Sequence, residues 1–241
     1  MFMTELNRQL EDLVTANRIL AREDVVDAYG HVSIRHPDDP GRYWLSRSRA
    51  PELVETDDLM EFTLDNQPVD QQGREMYSER PIHGGVYAER TDVMAVVHNH
   101  SQPVVPFGVT GVPLRPVFHL AALIGEDIPV WDIRDNFGDT NLLVTTNAQG
   151  HDLAATLGPR RVALMRGHGC VVAGGSLKEA VMASVYLQVN ARLLLESLRL
   201  GNVKYLSPGE VAAMSSGQVQ PRTMGRAWEY WATRAGRQSE L

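Results

Sequence analysis

The stretch Val93-Met94-Ala95-Val96-Val97-His98-Asn99-His100-Ser101 is an apolar run that ends in two histidines. Its length and valine content predict a short buried strand. Successive side chains on a strand point to opposite faces. His98 and His100 are two apart, so both imidazoles are expected to share a face and reach one metal ion. An H-x-H pair alone is weak evidence, because the chain has eight histidines and some must be ordinary residues.

Working upstream, Glu79-Arg80-Pro81-Ile82-His83 places a proline at a plausible first helical position. The spacing predicts a helix over 82–90 that starts just after Glu79. His83 falls on that helix near Glu79, where packing or a hydrogen bond accounts for it. Downstream, Val162-Ala163-Leu164-Met165 reads as a second central strand and leads into Gly167-His168-Gly169. Flanking glycines let the backbone turn sharply and approach a site closely. Three imidazoles and a carboxylate suit Zn, Mn, Fe or Co, and three protein ligands with an open position mark a catalytic site. His36 and His151 sit in polar turns and are assigned no role.

The rest of the chain supplies the frame. Residues 4–22 read as a helix capped by Thr4, with Leu6, Leu10, Leu13, Asn17 and Leu20 at helical spacing. Residues 29–37 alternate and break at Pro37. Asp38-Asp39-Pro40-Gly41 is a turn, and 42–45 returns as a strand. Residues 103–117 read as loop, and Leu142-Leu143-Val144-Thr145 as another central strand. Ser176-Leu177-Lys178-Glu179 matches a capping box before a helix over 177–200, closed by Gly201. Residues 202–241 look helical in patches, with an aromatic cluster at Trp228, Tyr230 and Trp231. Strands in the middle and helices at both ends predict one α/β domain over 1–241, with helices on the faces of a mostly antiparallel sheet.

Composition removes several function classes. The chain has 241 residues and a net charge of -7, with no run of Lys or Arg. Nucleic acids and anionic membranes require a basic patch, so neither is an expected partner. The single cysteine, Cys170, cannot form an internal disulfide and reads as a small buried residue. No signal-peptide pattern and no membrane-length apolar stretch is visible, so a cytoplasmic location is expected.

Taken together, the Glu79 segment, the His98-Asn99-His100 segment and Gly167-His168-Gly169 resemble the class II aldolase/adducin family. That family has a Glu before a helix, an H-x-H after a strand and a distant His beside Gly. The resemblance runs from about residue 5 to about residue 200. It implies an α/β/α sandwich around a mostly antiparallel central sheet. It also implies a homotetramer with active sites between subunits, and one divalent transition metal per subunit on His98, His100 and His168. Glu79 would be a fourth ligand or, once substrate displaces it, the acid/base.

Within the family, the corner that holds phosphate in the sugar-phosphate members is built of small residues. The matching places here read Gly30-His31-Val32-Ser33, Ser46-Arg47-Ser48-Arg49 and Tyr77-Ser78. A bulky ring and a guanidinium suit a planar carboxylate better than a phosphate, because Arg holds carboxylate through two parallel N–H bonds. The aldolases carry a Tyr where this chain has Leu120, after His119. These departures resemble the aromatic-acid decarboxylase branch, which acts on substrates such as 3,4-dihydroxyphthalate or hydroxypyridine dicarboxylates. The resemblance then implies Glu79, His119 and Tyr230 as candidate proton carriers, the last from a neighbouring subunit. His31, Ser46, Arg47, Ser48, Arg49 and Ser78 would bind substrate, with residues 202–241 a helical extension near the site or the subunit interface. A sugar-phosphate aldolase or epimerase, an Fe(II) oxygenase and a non-catalytic adducin-like module remain as alternatives.

Overall fold

The structure, a computed structural model, describes residues 4–237. In chain order the helices are α1 (Glu5–Arg22), α2 (Pro81–Glu89), α3 (Val105–Val109), α4 (Arg134–Phe137), α5 (Asn147–Leu157), α6 (Leu177–Leu200), α7 (Pro208–Gln218) and α8 (Pro221–Arg234). The strands are β1 (His31–Arg35), β2 (Arg42–Ser46), β3 (Leu59–Thr63), β4 (Ala95–Asn99), β5 (Val130–Trp131), β6 (Val162–Met165) and β7 (Gly169–Gly174). They form one sheet in the order β3-β2-β1-β4-β7-β6-β5. Every neighbouring pair is antiparallel except β5 and β6.

Side-chain alternation divides the sheet between two cores. Val32, Ile34, Ala95, Val97, Cys170 and Val172 enter one core with residues of α1, α6 and α8. Val96, Ala163, Met165, Val171 and Ala173 enter the other with residues of α2 and α5. Helices cover both faces, as an α/β/α sandwich requires. On β1 the odd residues His31, Ser33 and Arg35 are polar yet buried, which is tolerated only because each finds hydrogen-bond partners. Arg35 donates to the carbonyls of Val93, Tyr87 and Arg90.

Local signals explain most of the elements. Thr4 Oγ1 accepts from the Asn7 N–H and starts α1. Pro81 sits at the start of α2, where its missing N–H costs nothing. Ser176 Oγ accepts from the Glu179 N–H, but the reciprocal half of the expected capping box is absent. The Glu179 carboxylate instead takes the Gly175 N–H and pairs with Arg161. Residues 103–117 contain the one-turn helix α3 in addition to loop.

One strand expectation is corrected. Leu142–Thr145 lies outside the sheet. Leu142 has φ of 67°, which breaks an extended run. The Val144 N–H donates to Glu79 Oε1 at 3.0 Å instead of to a neighbouring strand. The strand that pairs with β4 and β6 is β7, which carries Cys170, Val171 and Val172. The expected helical extension beyond residue 202 is present as α7 and α8, with Trp228 and Trp231 buried. Residues 238–241 of that extension, and 1–3, lie outside the described residues.

Candidate metal centre

Three segments deliver the four side chains. His98 is in β4, and His100 follows directly after it on the same face, as the alternation predicts. His168 is in the tight turn from β6 to β7. Gly167 there has φ of +67°, and a Cβ on Gly169 would lie 2.1 Å from the Asn99 carbonyl oxygen. Only glycine permits that turn and that approach. Glu79 sits in the turn before α2, fixed by the Val144 N–H just ahead of α5. Helices α2 and α5 in turn touch through bare backbone. A Cβ on Gly150 would lie 2.1 Å from the Pro81 carbonyl oxygen, and one on Gly85 would lie 2.4 Å from the Gly150 carbonyl carbon.

One donor atom each from Glu79, His98, His100 and His168 lies within 4.8 Å of all the others. His100 Nε2 is 3.0 Å from both His98 Nε2 and His168 Nε2. Glu79 Oε2 is 3.7 Å from His98 Nε2 and 3.5 Å from His168 Nε2. His98 Nδ1 lies 3.0 Å from the Cys170 carbonyl oxygen, an acceptor only, so its proton is on Nδ1 and its Nε2 carries a bare lone pair. Burial lowers the pKa of His98 well below the ordinary histidine value, outweighing the nearby Glu79 charge, and burial and His168 lower that of His100. Burial acts to raise the Glu79 pKa, but the His168 hydrogen bond, the His98 and His168 charges and the Val144 N–H hold it at about 2.

The bare His98 Nε2 lone pair and the ionised Glu79 carboxylate, converging on one point with His100 and His168, repel each other unless a cation lies between them. Donors 3.0 Å apart fit a common ion about 2.1 Å from each, at an angle of about 90°. The residues present therefore fit a divalent metal, and the Cys170 carbonyl supplies the outer hydrogen bond that orients a ligating His.

The other expected site residues fall into two groups. His31 is the register partner of His98, with ring centroids 5.1 Å apart. It also lies 4.6 Å from the Tyr77 ring. Tyr77 is joined to Ser46 Oγ at 3.3 Å and donates to the Arg49 carbonyl. Arg47 and Arg49 are not free cations: their Nε and Nη1 each lie 2.6 Å from opposite oxygens of buried Asp58. Ser48 and Ser78 are exposed. His119 is exposed on the turn His119–Ile124, and Tyr230 is 58% exposed with Arg234 over its ring. No described hydrogen bond or ring contact joins either of them to the four clustered residues within one chain.

Two features were not anticipated. A cavity of about 340 Å³ opens beside His100, lined by Asp24, Asp27, Ser101, Gln188 and Arg192. Arg192 has no carboxylate partner among the described residues; nothing in the helical pattern of α6 distinguishes it. Behind His31 lies a buried chain of Tyr87, Ser33 and His83. His31-x-Ser33-x-Arg35 was its only sequence signal, polar residues at every second place of a strand.

Residues 11–195 match the model of the class II aldolase and adducin N-terminal domain. The chain belongs to this family. It is 32% identical to the decarboxylase TropJ of Talaromyces stipitatus over 90% of both chains. It is 28% identical to a 3,4-dihydroxyphthalate decarboxylase of Terrabacter sp., over 95% of this chain and 97% of that one. Among solved structures, an L-fuculose 1-phosphate aldolase from Glaciozyma antarctica superposes with a TM-score of 0.79 at 20% identity, covering 98% of this chain and 92% of the other. That last likeness establishes the fold. By their names, all three relatives are lyases, and the class II aldolase fold and the four-residue centre stand together in this chain.

Proposed function

We propose that this chain is a metal-dependent, non-oxidative decarboxylase of a hydroxylated aromatic carboxylic or dicarboxylic acid, such as dihydroxyphthalate or a hydroxypyridine dicarboxylate. The observation that carries this is the pair of rings, His31 and Tyr77, packed 4.6 Å apart beside the centre. They stand where the family's sugar-phosphate members have small residues around phosphate, and they suit a flat aromatic acid. The identity with two named decarboxylases over nine-tenths of the chain supports the same reading.

His98, His100 and His168, with Glu79, would hold one divalent ion of Mn, Zn, Fe or Co. Such an ion supplies Lewis acidity to a ring oxygen. Once substrate displaces it from the ion, the ionised Glu79 would accept the proton of the ring hydroxyl and return it to the ring carbon that bears the departing carboxylate. The bond between that carbon and the carboxylate then breaks, carbon dioxide leaves, and the bonding pair restores the aromatic ring. One solvent proton finally replaces that of the hydroxyl. Arg192, beside His100, holds the carboxylate that stays. Arg47 and Arg49, with N–H groups left after pairing with Asp58, close the far rim with Ser46, Ser48 and Ser78. We assign His119 and Tyr230 to the site of a neighbouring subunit in a homotetramer, which calls for four chains by light scattering.

The test is anaerobic carbon dioxide release by metal-reconstituted protein from a panel of ortho-hydroxylated aromatic dicarboxylates. Metal-dependent release that needs no oxygen, and that weakens about tenfold or more in KM when Arg192 is changed to Met, is expected. Aldol cleavage of a sugar phosphate without any carbon dioxide release would overturn the proposal, as would release that requires oxygen.

A further inference from the structure

His31, Ser33, His83 and Tyr87 form a continuous buried chain on one face of β1. His31 Nδ1 lies 2.6 Å from His83 Nε2, His83 Nδ1 lies 2.6 Å from Ser33 Oγ, and Ser33 Oγ lies 2.8 Å from the Tyr87 hydroxyl. His83, Ser33 and Tyr87 are each 0% exposed, and His31 is 3% exposed. With every proton used in a bond within it, a chain of this kind has two arrangements, one running each way. The Tyr87 hydroxyl decides between them, because its only acceptor among the described residues is Ser33 Oγ. If Tyr87 donates to Ser33, then Ser33 has its own proton free for His83 Nδ1. His83 must then carry its proton on Nε2 and donate it to His31 Nδ1. His31 is left with its proton on Nε2. The reverse arrangement would bury a phenol proton with no acceptor, which costs about as much as a lost buried hydrogen bond. His31 Nε2 has no partner among the described residues, and it is not among the atoms sealed from solvent.

We propose that Tyr87, Ser33 and His83 form a tautomer lock that fixes His31 as a neutral Nε2–H donor beside the metal centre, aimed at an anionic oxygen of the bound substrate. The inference rests on the decarboxylase reading for its substrate class, and on the hydrogen-bond chain alone for the lock. His83, Ser33 and Tyr87 are positioning residues, acting only through His31. The fixed donor gives the site a sign preference. A carboxylate or phenolate oxygen gains a hydrogen bond there, whereas an ammonium or another N–H donor meets a proton. A histidine free to change tautomer would accept either.

The test is nitrogen-15 spectroscopy of histidine-labelled, Zn-loaded wild-type protein, with the His31 signals assigned by their loss in His31→Gln. An unprotonated Nδ1 and a protonated Nε2 on His31, with the same tautomer on His83, are expected. The opposite tautomer on His31, or rapid exchange between the two, overturns the lock. In Ser33→Ala, with metal content and circular dichroism unchanged, both His31 tautomers should appear; an unchanged single tautomer also overturns it. Phthalate, used as a carboxylate probe, should bind Zn-loaded Ser33→Ala more weakly than wild type, by about twofold where the two tautomers are equally populated, because only the Nε2–H form donates. Equal affinity, or no binding by either protein, overturns the donor role. If the tautomers are as expected while no aromatic acid releases carbon dioxide, the lock stands and the decarboxylase reading fails.

Discussion

Glu79 has one carboxylate oxygen tied to the Val144 N–H and the other turned toward His98 and His168, and this division sets its behaviour with pH. Burial works against its charge, yet the surrounding donors hold its pKa at about 2, below the ordinary 4.5. A carboxyl depressed by folding stabilises the native state above its unfolded pKa, and that contribution is lost as pH falls from about 4.5 toward 2. Burial also lowers His83 from 6.5 to about 3, so its contribution is complete above about pH 6.5 and is lost as pH falls below it. The two act in the same direction in overlapping windows. The urea midpoint of the metal-free protein should therefore fall as pH drops below about 6.5, and more steeply below about 4.5. Glu79→Gln should remove only the added steepness below about 4.5. A midpoint that rises between pH 6 and 4 would contradict this account. At this scale the sequence was legible where periodicity acts: His98 and His100 share a face because strand side chains alternate. His83 was not legible, because its partners Ser33 and His31 are about fifty positions away in the chain. Arg47 and Arg49 were visible as charges, but nothing in their neighbourhood showed that Asp58 would engage both.

Helices α2 and α5 carry Glu79 and its Val144 anchor, and they meet at glycines. Gly150→Ala would drive a Cβ to 2.1 Å from the Pro81 carbonyl oxygen, which belongs to backbone that cannot swing aside. It should destabilise the fold by about 1–3 kcal/mol or more, lower the thermal midpoint, and weaken metal binding through the displaced Val144. Gly217→Ala is the control. Its added Cβ meets nothing within 4 Å in α7, so thermal unfolding should show no change or a gain of up to about 1 kcal/mol. Equal effects from the two would refute the close-packing argument. The elements themselves were mostly readable from caps and apolar periods, as Thr4 for α1 and Pro81 for α2 illustrate. The failure at Leu142–Thr145 has a physical cause. A run of only three apolar residues is equally at home as coil with Val144 buried, and its backbone donor was claimed by a carboxylate remote in sequence.

The whole molecule is two apolar cores on either face of one sheet, with the candidate centre at the end of the central strands β4 and β7. Helix α8 closes the α1–α6 side through Trp228 and Trp231, which are 2% and 6% exposed. Trp231→Ala should cost about 3–5 kcal/mol in chemical denaturation, with little change in metal affinity, because the tryptophan lies in the core away from the four clustered residues. Tyr230 is its counterpart on the outer face of the same helix. Tyr230→Phe should leave stability unchanged and reduce turnover only if a neighbouring subunit supplies its hydroxyl. The sandwich and its mostly antiparallel sheet could be read from strands in the middle and helices at the ends. The strand order could not, because β7 enters between β4 and β6 through pairings that no local pattern encodes.

The central claim is that one ion on His98, His100, His168 and Glu79 supports decarboxylation. Its most direct test is a titration of metal-stripped protein with Mn or Zn, with bound metal and anaerobic carbon dioxide release from 3,4-dihydroxyphthalate followed together. Release should rise in proportion to bound metal and stop at one ion per chain, and His98→Ala should both fail to bind and fail to release. Full release by metal-free protein, or release that persists in His98→Ala, would contradict the account.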